Sequence, residues 1–211
     1  MTPKDHFYQI QAESIIKKLE QRNMAGYYCK TSEEAKNLAL DLMKSPSVIS
    51  WGGSQTITEI GLLDELKNHN YTLIDRRQAN SPEEVREAYL KAFEADYYLM
   101  SSNAITLDGE LINIDGNGNR VAALIYGPRN VIIIAGMNKI VSNEETAVAR
   151  VRNFATPPNA LRLNQDTPCS KTGKCHDCTH EQCLCCQIVT TRFSRVSKRI
   201  KVILVGETLG F

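Results

Sequence analysis

The sequence predicts an α/β fold in which a largely parallel sheet carries helices on both faces. Up to Met100, short apolar strands alternate with helices of roughly ten residues, which is the pattern of βαβ units. Asn130–Ala135 is the most apolar segment, as expected of a strand buried on both faces. With 211 residues, the chain is long enough for one such domain with a sizeable core.

Composition and charge exclude several classes of protein. Hydrophobic residues make up 42% of the chain and charged residues 23%, which is typical of a soluble globular protein. The formal net charge is +1, so overall charge favours neither nucleic acid nor a membrane as partner. The longest apolar run, Val131–Met137, is too short to cross a bilayer, and the polar first residues do not form a signal peptide. We expect a cytoplasmic protein without nucleic-acid or membrane partners; the sequence leaves open whether it is a homo-oligomer.

Helix signals recur along the chain. Thr31 and Glu34 have capping-box spacing, and Ser81-Pro82 precedes two acidic residues, a combination typical of a first helical turn. Helices are predicted at about 4–23, 31–43, 57–66, 82–94, 121–125 and 143–154. Pro157-Pro158 is predicted to end the last helix.

Short runs of β-branched, aromatic and other apolar residues predict the strands. They lie at about 27–29, 48–50, 71–74, 97–100, 104–106, 110–114, 130–135, 187–190 and 202–205. Asp108-Gly109 is a strong hairpin signal between two of them. We expect an α/β domain at 1–163, a Cys-rich metal-binding loop at 164–187, and C-terminal strands at 188–211 that complete the domain.

A glycine turn after the second predicted strand is the first candidate for a ligand site. Gly52 and Gly53 allow a sharp bend and a close approach to a ligand, and Ser54 and Thr56 can cap the next helix. Backbone N–H groups at a helix start can hold an anion. Such a turn is most often only a turn, but this one and Ser101–Asn103 both follow strands, at the sheet edge where ligands bind.

Polar residues of several segments are predicted to converge there. The candidates for ligand binding are Gly52, Gly53, Ser54, Gln55, Thr56, Asn103, Asp115, Asn119 and Asn138. The candidates for catalysis are Glu59 as base or nucleophile, Arg120 as a fork for carboxylate or phosphate, and Lys139 as a point charge. Glu59 can instead serve the helix dipole. Arg120 can instead form a structural ion pair with Asp115 or Glu110.

The cysteines are clustered near the end of the chain. Cys29 stands alone, whereas the other six lie between Cys169 and Cys186. In a cytosolic protein this clustering points to a metal rather than to disulfides. Cys175-His176-Asp177-Cys178 is a C-x-x-C knuckle; the second knuckle of many zinc sites is missing, and iron–sulfur sites accept more varied spacing. A [4Fe–4S] cluster is slightly favoured over zinc, and a free or disulfide-linked loop is the remaining alternative.

Short motifs extend over nearly the whole chain. They are Gly52–Thr56 with Glu59-Ile60-Gly61, Ser101–Thr106, Asp108–Leu111, Asp115–Ala122, Tyr126–Pro128, Gly136–Ile140 and Ala155–Ala160. With these motifs the sequence resembles the lactate-utilisation (LUD) domain family, typified by lactate-utilisation protein C. The resemblance implies a fold similar to the NagB/RpiA/CoA transferase-like group, with helices on both faces of the sheet and a glycine-rich anion-binding turn.

The resemblance also implies a set of metal ligands. The cysteine-bearing subgroup of the family looks like P-C-x2-T-G-x-C-x-D-C-x6-C, and Pro168–Cys185 fits this pattern. The implied ligands are Cys169, Cys175, Cys178 and Cys185. Cys183 and Cys186 are then extra cysteines, and either of them could replace Cys185.

The sequence is consistent with two classes of function. By resemblance, the chain is a subunit or relative of an L-lactate-oxidising system that binds a small organic acid or other anion and has iron–sulfur proteins as partners. The alternative is a non-catalytic electron-transfer or binding module with a structural metal site. Lactate turnover that depends on Arg120 and Lys139 would favour the first class, and a brown protein purified without oxygen would favour the redox form of the second.

Overall fold

A computed structural model describes residues 2–211 of the chain. Its strands are β1 (Ala25–Cys29), β2 (Ser47–Trp51), β3 (Tyr71–Ile74), β4 (Tyr97–Met100), β5 (Ala104–Thr106), β6 (Leu111–Asp115), β7 (Asn130–Gly136), β8 (Ile140–Val141), β9 (Gln187–Thr191) and β10 (Ile200–Val205). Its α-helices are α1 (Pro3–Gln21), α2 (Ser32–Asp41), α3 (Gln55–Glu59), α4 (Leu62–Glu65), α5 (Pro82–Lys91), α6 (Asn119–Tyr126), α7 (Glu144–Arg150), α8 (Thr156–Arg162) and α9 (Pro168–Thr172).

Six parallel strands form the main sheet in the order β1-β10-β7-β4-β2-β3. Leu99 of β4 lies between Trp51 of β2 and Ile132 of β7. Every residue of β4, and every residue of β7 after Asn130, is buried. The predicted α/β class with a parallel sheet is therefore confirmed.

Helices cover both faces of this sheet because successive side chains of a strand point to opposite sides. Ile133 of β7 belongs to a core that includes Ile15 of α1 and residues of α6. Ile132, the preceding residue, belongs to the opposite core with Ile57 of α3 and residues of α2 and α4. No helix within residues 2–211 is long and apolar enough to cross a membrane.

A second sheet has the order β8-β5-β6-β9. β5 and β6 form the hairpin predicted from Asp108-Gly109, and Gly109 has the positive φ of +80° that favours glycine in such a turn. β9 pairs antiparallel with β6, so that Gln187 lies opposite Asp115. Of the two C-terminal strands, β10 thus joins the main sheet and β9 joins the second sheet, with the Cys-rich segment leading into β9.

Two predicted helices differ from the structure. The helix expected at 57–66 is divided into α3 and α4, because Gly61 adopts a left-handed conformation with φ of +71°. Pro157 and Pro158 do not end the last helix: α7 widens into a π-helical turn at Val151–Ala155, and α8 then begins at Thr156. The prolines occupy the first turn of α8, where a backbone N–H has no partner within the helix.

Candidate functional site

The strand order of the main sheet reverses between β2 and β4. From β2 the chain proceeds outward to β3, and it then returns through β4, β7 and β10 on the other side. The segments 52–56, 101–103 and 137–139, which follow β2, β4 and β7, therefore meet at one edge. In open parallel sheets this is the place where ligands bind.

A cavity of about 400 Å³ opens at this edge. The predicted site residues that line it are Gly53, Ser54, Gln55, Asn103, Asp115, Asn119, Arg120 and Lys139. The predicted site residues outside its lining are Gly52, Thr56, Glu59 and Asn138. The structure thus brings most of the predicted polar residues to one cavity.

Lys139 lines this cavity and is only 4% exposed. Its Nζ donates to Thr56 Oγ1 at 2.9 Å and to Ser101 Oγ at 3.0 Å. Within residues 2–211 no acidic side chain forms an ion pair with it. Burial lowers the pKa of Lys139 to about 7, and the charges of Arg150 and Arg120 act in the same direction.

The guanidinium of Arg120 holds the surrounding loops together. Its acceptors are Asp115 Oδ2 at 3.2 Å, Asn103 Oδ1 at 2.8 Å, Ile114 O at 2.7 Å, and Ser101 O and Asn113 Oδ1 at 3.4 Å each. An arginine has five N–H donors, so these acceptors occupy its whole fork. The structural ion pair with Asp115, the alternative to a catalytic role for Arg120, is present.

Gly52 and Asp115 complete the surroundings of Arg120. A Cβ atom at Gly52 would lie 3.1 Å from Cγ and Cδ of Arg120. Because glycine has no side chain, the arginine side chain can pack directly against the backbone of the glycine turn. Asp115 also accepts from the backbone N–H of Gly118 at 2.9 Å. The loop before α6, which begins at Asn119, is thereby fixed against the turn after β2.

Thr56, Glu59 and Asn138 bind the backbone of residues 209–210. Glu59 Oε2 accepts from the N–H of Gly210 at 2.6 Å, and Asn138 Oδ1 accepts from the N–H of Leu209 at 3.1 Å. Thr56 Oγ1 donates to Leu209 O at 3.4 Å. This segment passes beside Lys139, since a Cβ atom at Gly210 would lie 3.3 Å from its Nζ.

Arg76 and Arg162 also line the cavity, although neither was among the predicted site residues. Arg76 comes two residues after β3, and its guanidinium lies 5.4 Å from the ring centroid of Tyr89. Its position at a strand end was a signal that could have identified it. Arg162 is at the end of α8, in a helical segment that the two prolines were expected to prevent, so no sequence signal pointed to it.

A second, smaller cavity of about 30 Å³ lies within the Cys-rich segment. The cysteines that line it are Cys169, Cys175, Cys178, Cys183 and Cys185. All four ligands implied by the family pattern are therefore at one cavity, together with Cys183. Cys186 is exposed, and its thiol donates to the carbonyl of Cys183.

Backbone and hydroxyl groups contact two of these sulfur atoms. The N–H of Asp177 donates to Cys175 Sγ at 3.3 Å within the knuckle, and Thr167 Oγ1 lies 3.2 Å from Cys169 Sγ. Burial raises the pKa of Cys183 to about 11 and also raises that of Cys185. Within residues 2–211 no group of three or more His, Cys, Asp or Glu side chains is arranged closely enough to hold a single metal ion.

The model of the LUD domain family matches residues 12–205, which is nearly the whole chain. The chain belongs to the LUD domain family. No curated protein matches the sequence.

Solved structures show what this LUD domain is similar to in fold. A DUF162 family protein from Deinococcus radiodurans is 14% identical, with a TM-score of 0.54 over 94% of this chain and 98% of that one. eIF2B delta from Chaetomium thermophilum is 16% identical, with a TM-score of 0.34 over 54% of this chain and 49% of that one. The matched chain of the eIF2B-beta2-delta2 complex from C. thermophilum is 15% identical, with a TM-score of 0.40 over 80% of this chain and 53% of that one. Only the first similarity is high enough to support the fold.

The larger cavity at the sheet edge and the cysteine cavity share part of their walls. Thr156, Cys183 and Leu184 line both of them. The loop after β6 contacts the same wall, because a Cβ atom at Gly116 would lie 3.4 Å from the Cα of Leu184. The Cys-rich segment is therefore part of the larger site and not a separate appendix.

Proposed function

We propose that this LUD domain binds a small organic acid or another small anion in the cavity at the carboxyl edge of the main sheet. The observation that supports this function most directly is the charge of the lining. Arg76, Arg162 and Lys139 face the cavity without an acidic partner among residues 2–211. The acidic residues of the lining are Asp115, which is paired with Arg120, and the exposed Glu181.

Arg76 and Arg162 are the side chains best suited to hold the anion. Partial burial lowers the pKa of Arg162, and the positive charge of Arg76 adds to this effect. An anion between two guanidinium groups would relieve their repulsion, and guanidinium N–H groups match carboxylate and phosphate oxygens. Nε and Nη2 of Arg162 each donate to Asn159 Oδ1, so the anion would bind the remaining N–H groups of Arg162. Arg120 fixes the loops of the site, since its own donors are already occupied by protein acceptors.

Calorimetric titration with L-lactate, pyruvate and inorganic phosphate tests the anion site. We expect at least one of these anions to bind, and Arg162→Gln or Arg76→Gln to weaken binding by about 10- to 100-fold, as loss of a charge-assisted hydrogen bond does. Arg86→Gln, an exposed arginine of α5 outside the lining, is the control and should leave affinity unchanged. Equal affinities in all four proteins would place the anion site elsewhere.

For the smaller cavity we propose a metal centre held by Cys169, Cys175, Cys178 and Cys185. Thiolates prefer iron–sulfur clusters or zinc over hard cations. Convergence of these four cysteines on one cavity supports a centre. A cluster is slightly favoured over zinc because iron–sulfur sites accept more varied cysteine spacing and the second knuckle of many zinc sites is missing. Such a cluster would supply one-electron transfer next to the anion cavity.

Anaerobic purification followed by iron, zinc and acid-labile sulfide analysis tests the centre. We expect iron and sulfide in comparable amounts, and loss of both in Cys178→Ser. Cys186→Ser changes an exposed cysteine outside the cavity and should retain the metal. Zinc without sulfide would support the alternative structural site, and a protein free of iron and zinc would contradict both.

We also propose, from family membership, that the domain serves an L-lactate-oxidising system with iron–sulfur proteins as partners. The cationic cavity supports this role, because lactate and its oxidation product are both small carboxylates. The second candidate, a non-catalytic electron-transfer or binding module, is supported by the shared wall of the two cavities. The test is whether the protein reduces an artificial electron acceptor with L-lactate as electron donor. Activity in the unaltered protein that is lost in Lys139→Gln would support the catalytic role.

A further inference from the structure

The hydrogen bonds around Lys139 fix the orientation of its amino group. Thr56 Oγ1 donates to Leu209 O at 3.4 Å, and Ser101 Oγ donates to Ser102 O at 3.3 Å. Each hydroxyl has a single hydrogen, so each accepts its bond from Lys139 Nζ. Two N–H groups of the lysine are therefore directed at these oxygens.

A neutral amine in this position has one further tetrahedral direction, which holds its lone pair. Both of its hydrogens are occupied by Thr56 and Ser101, and neither hydroxyl can donate to the nitrogen. Within residues 2–211 no other group is hydrogen-bonded to Nζ, and the side chain borders the cavity. This arrangement suits a nucleophile better than a cation that only attracts the ligand.

We propose that Lys139 forms an imine with the carbonyl carbon of a small 2-oxo acid bound in the cavity. This inference rests on the proposed function, because it requires the cavity to bind a small carboxylate. Arg76 and Arg162 would hold the carboxylate, and the adjacent carbonyl group would meet the amine.

The reaction is balanced without an external oxidant or reductant. The nitrogen lone pair forms the C–N bond, the π electrons of the carbonyl pass to its oxygen, and that oxygen takes up one amine proton. The resulting hydroxyl leaves as water with the second amine proton, and a C=N bond remains. The hydroxyls of Thr56 and Ser101 accept hydrogen bonds from Nζ and hold the amine in place during these steps.

The surroundings of Lys139 also keep much of it in the reactive form. With a pKa of about 7, close to half of the amine is neutral at neutral pH, and Arg150, Arg120 and Glu59 are the charged groups that act on it. A solvent-exposed lysine is neutral in only about one molecule in a thousand under the same conditions. Reaction with a carbonyl compound should therefore be strongly selective for Lys139.

Reductive trapping tests the imine. The full chain is incubated anaerobically with pyruvate and cyanoborohydride, and intact protein and proteolytic peptides are analysed by mass spectrometry. We expect one adduct with the mass of pyruvate less one oxygen atom, located at Lys139 and absent from Lys139→Gln. Because the adduct is located by peptide mapping of the unaltered chain, the test does not depend on the folding of the variant.

Lys201 provides a matched control. It is a half-buried lysine of β10, its Nζ donates to Asn130 Oδ1 and Lys198 O, burial lowers its pKa, and it does not line the cavity. Lys201→Gln should keep the adduct at Lys139. Adducts spread evenly over surface lysines, or none at all, would overturn the imine.

Calorimetry with pyruvate separates this inference from the proposed function. Binding that depends on Arg162, without trapping at Lys139, would overturn the imine and leave the anion site intact. Absence of both binding and trapping would overturn the two together.

Discussion

At Lys139 a lysine amino group is 4% exposed and has two hydroxyl groups, but no carboxylate, as partners. Burial disfavours the charged form and lowers the pKa from 10.5 to about 7. The unfolded chain therefore binds more protons than the folded chain between about pH 7 and pH 10.5. Raising the pH through this window favours the folded state.

The variant Lys139→Met removes this titration. The measured quantity is the free energy of unfolding of the variant minus that of the unaltered protein. This difference should be largest near pH 6 and should decrease by about 2–3 kcal/mol by about pH 9, since one pKa unit corresponds to about 1.4 kcal/mol. Urea denaturation of both proteins at the two pH values measures the difference. Lys91→Met, at an exposed lysine paired with Glu87, should show no such trend. A difference that stays constant with pH would contradict the pKa of Lys139.

The location of a single site residue could be predicted where the residue directly follows a predicted strand. Lys139 and Asn103 follow buried strands, and both line the cavity as expected. The sequence could not show that the N–H groups of Arg120 are hydrogen-bonded to protein acceptors, because those acceptors come from segments up to 19 residues away. Arg162 was missed since its place depends on how the chain passes Pro157-Pro158.

At the scale of one element, the short helix α9 positions the first cysteine of the smaller cavity. Thr167 is 2% exposed, caps α9 by accepting from the N–H of Ser170, and contacts Cys169 Sγ. We expect Thr167→Ala to lower the free energy of unfolding by about 1 kcal/mol, as for other caps, and to reduce the metal content of anaerobically purified protein. Chemical denaturation and metal analysis measure the two effects.

Thr31→Ala is the matched control. Thr31 caps α2 by accepting from the N–H of Glu34, and it does not line the cysteine cavity. We expect a similar loss of stability with unchanged metal content. Equal metal content in the two variants would show that the α9 cap has no part in the metal centre.

Most elements could be predicted because their signals are local. Capping residues, Asp108-Gly109 and apolar runs identified the helices and strands to within a few residues. The failures are also local: the left-handed conformation of Gly61 and the π-helical turn before Pro157 are backbone conformations that the capping and apolar patterns do not specify. α9 was missed because five residues are too few to show helical periodicity.

For the molecule as a whole, the decisive fact is the pairing of β6 with β9. It places Gln187, where the Cys-rich segment ends, opposite Asp115 at the rim of the larger cavity. The sequence predicted a cysteine loop and a sheet-edge site, but no particular contact between them. Their contact depends on a pairing between residues more than 70 positions apart, which no local pattern specifies.

The position of β10 has a consequence for synthesis of the protein. β1 has β10 as its neighbour in the sheet, and β10 also pairs with β7. During translation, β1 leaves the ribosome long before Ile200–Val205 are synthesised. It therefore has no partner strand while β2, β4 and β7 assemble. Closing the sheet by such a distant segment is slow. Ribosome-bound nascent chains that stop short of Ile200 should thus expose β1 to chaperones and proteases.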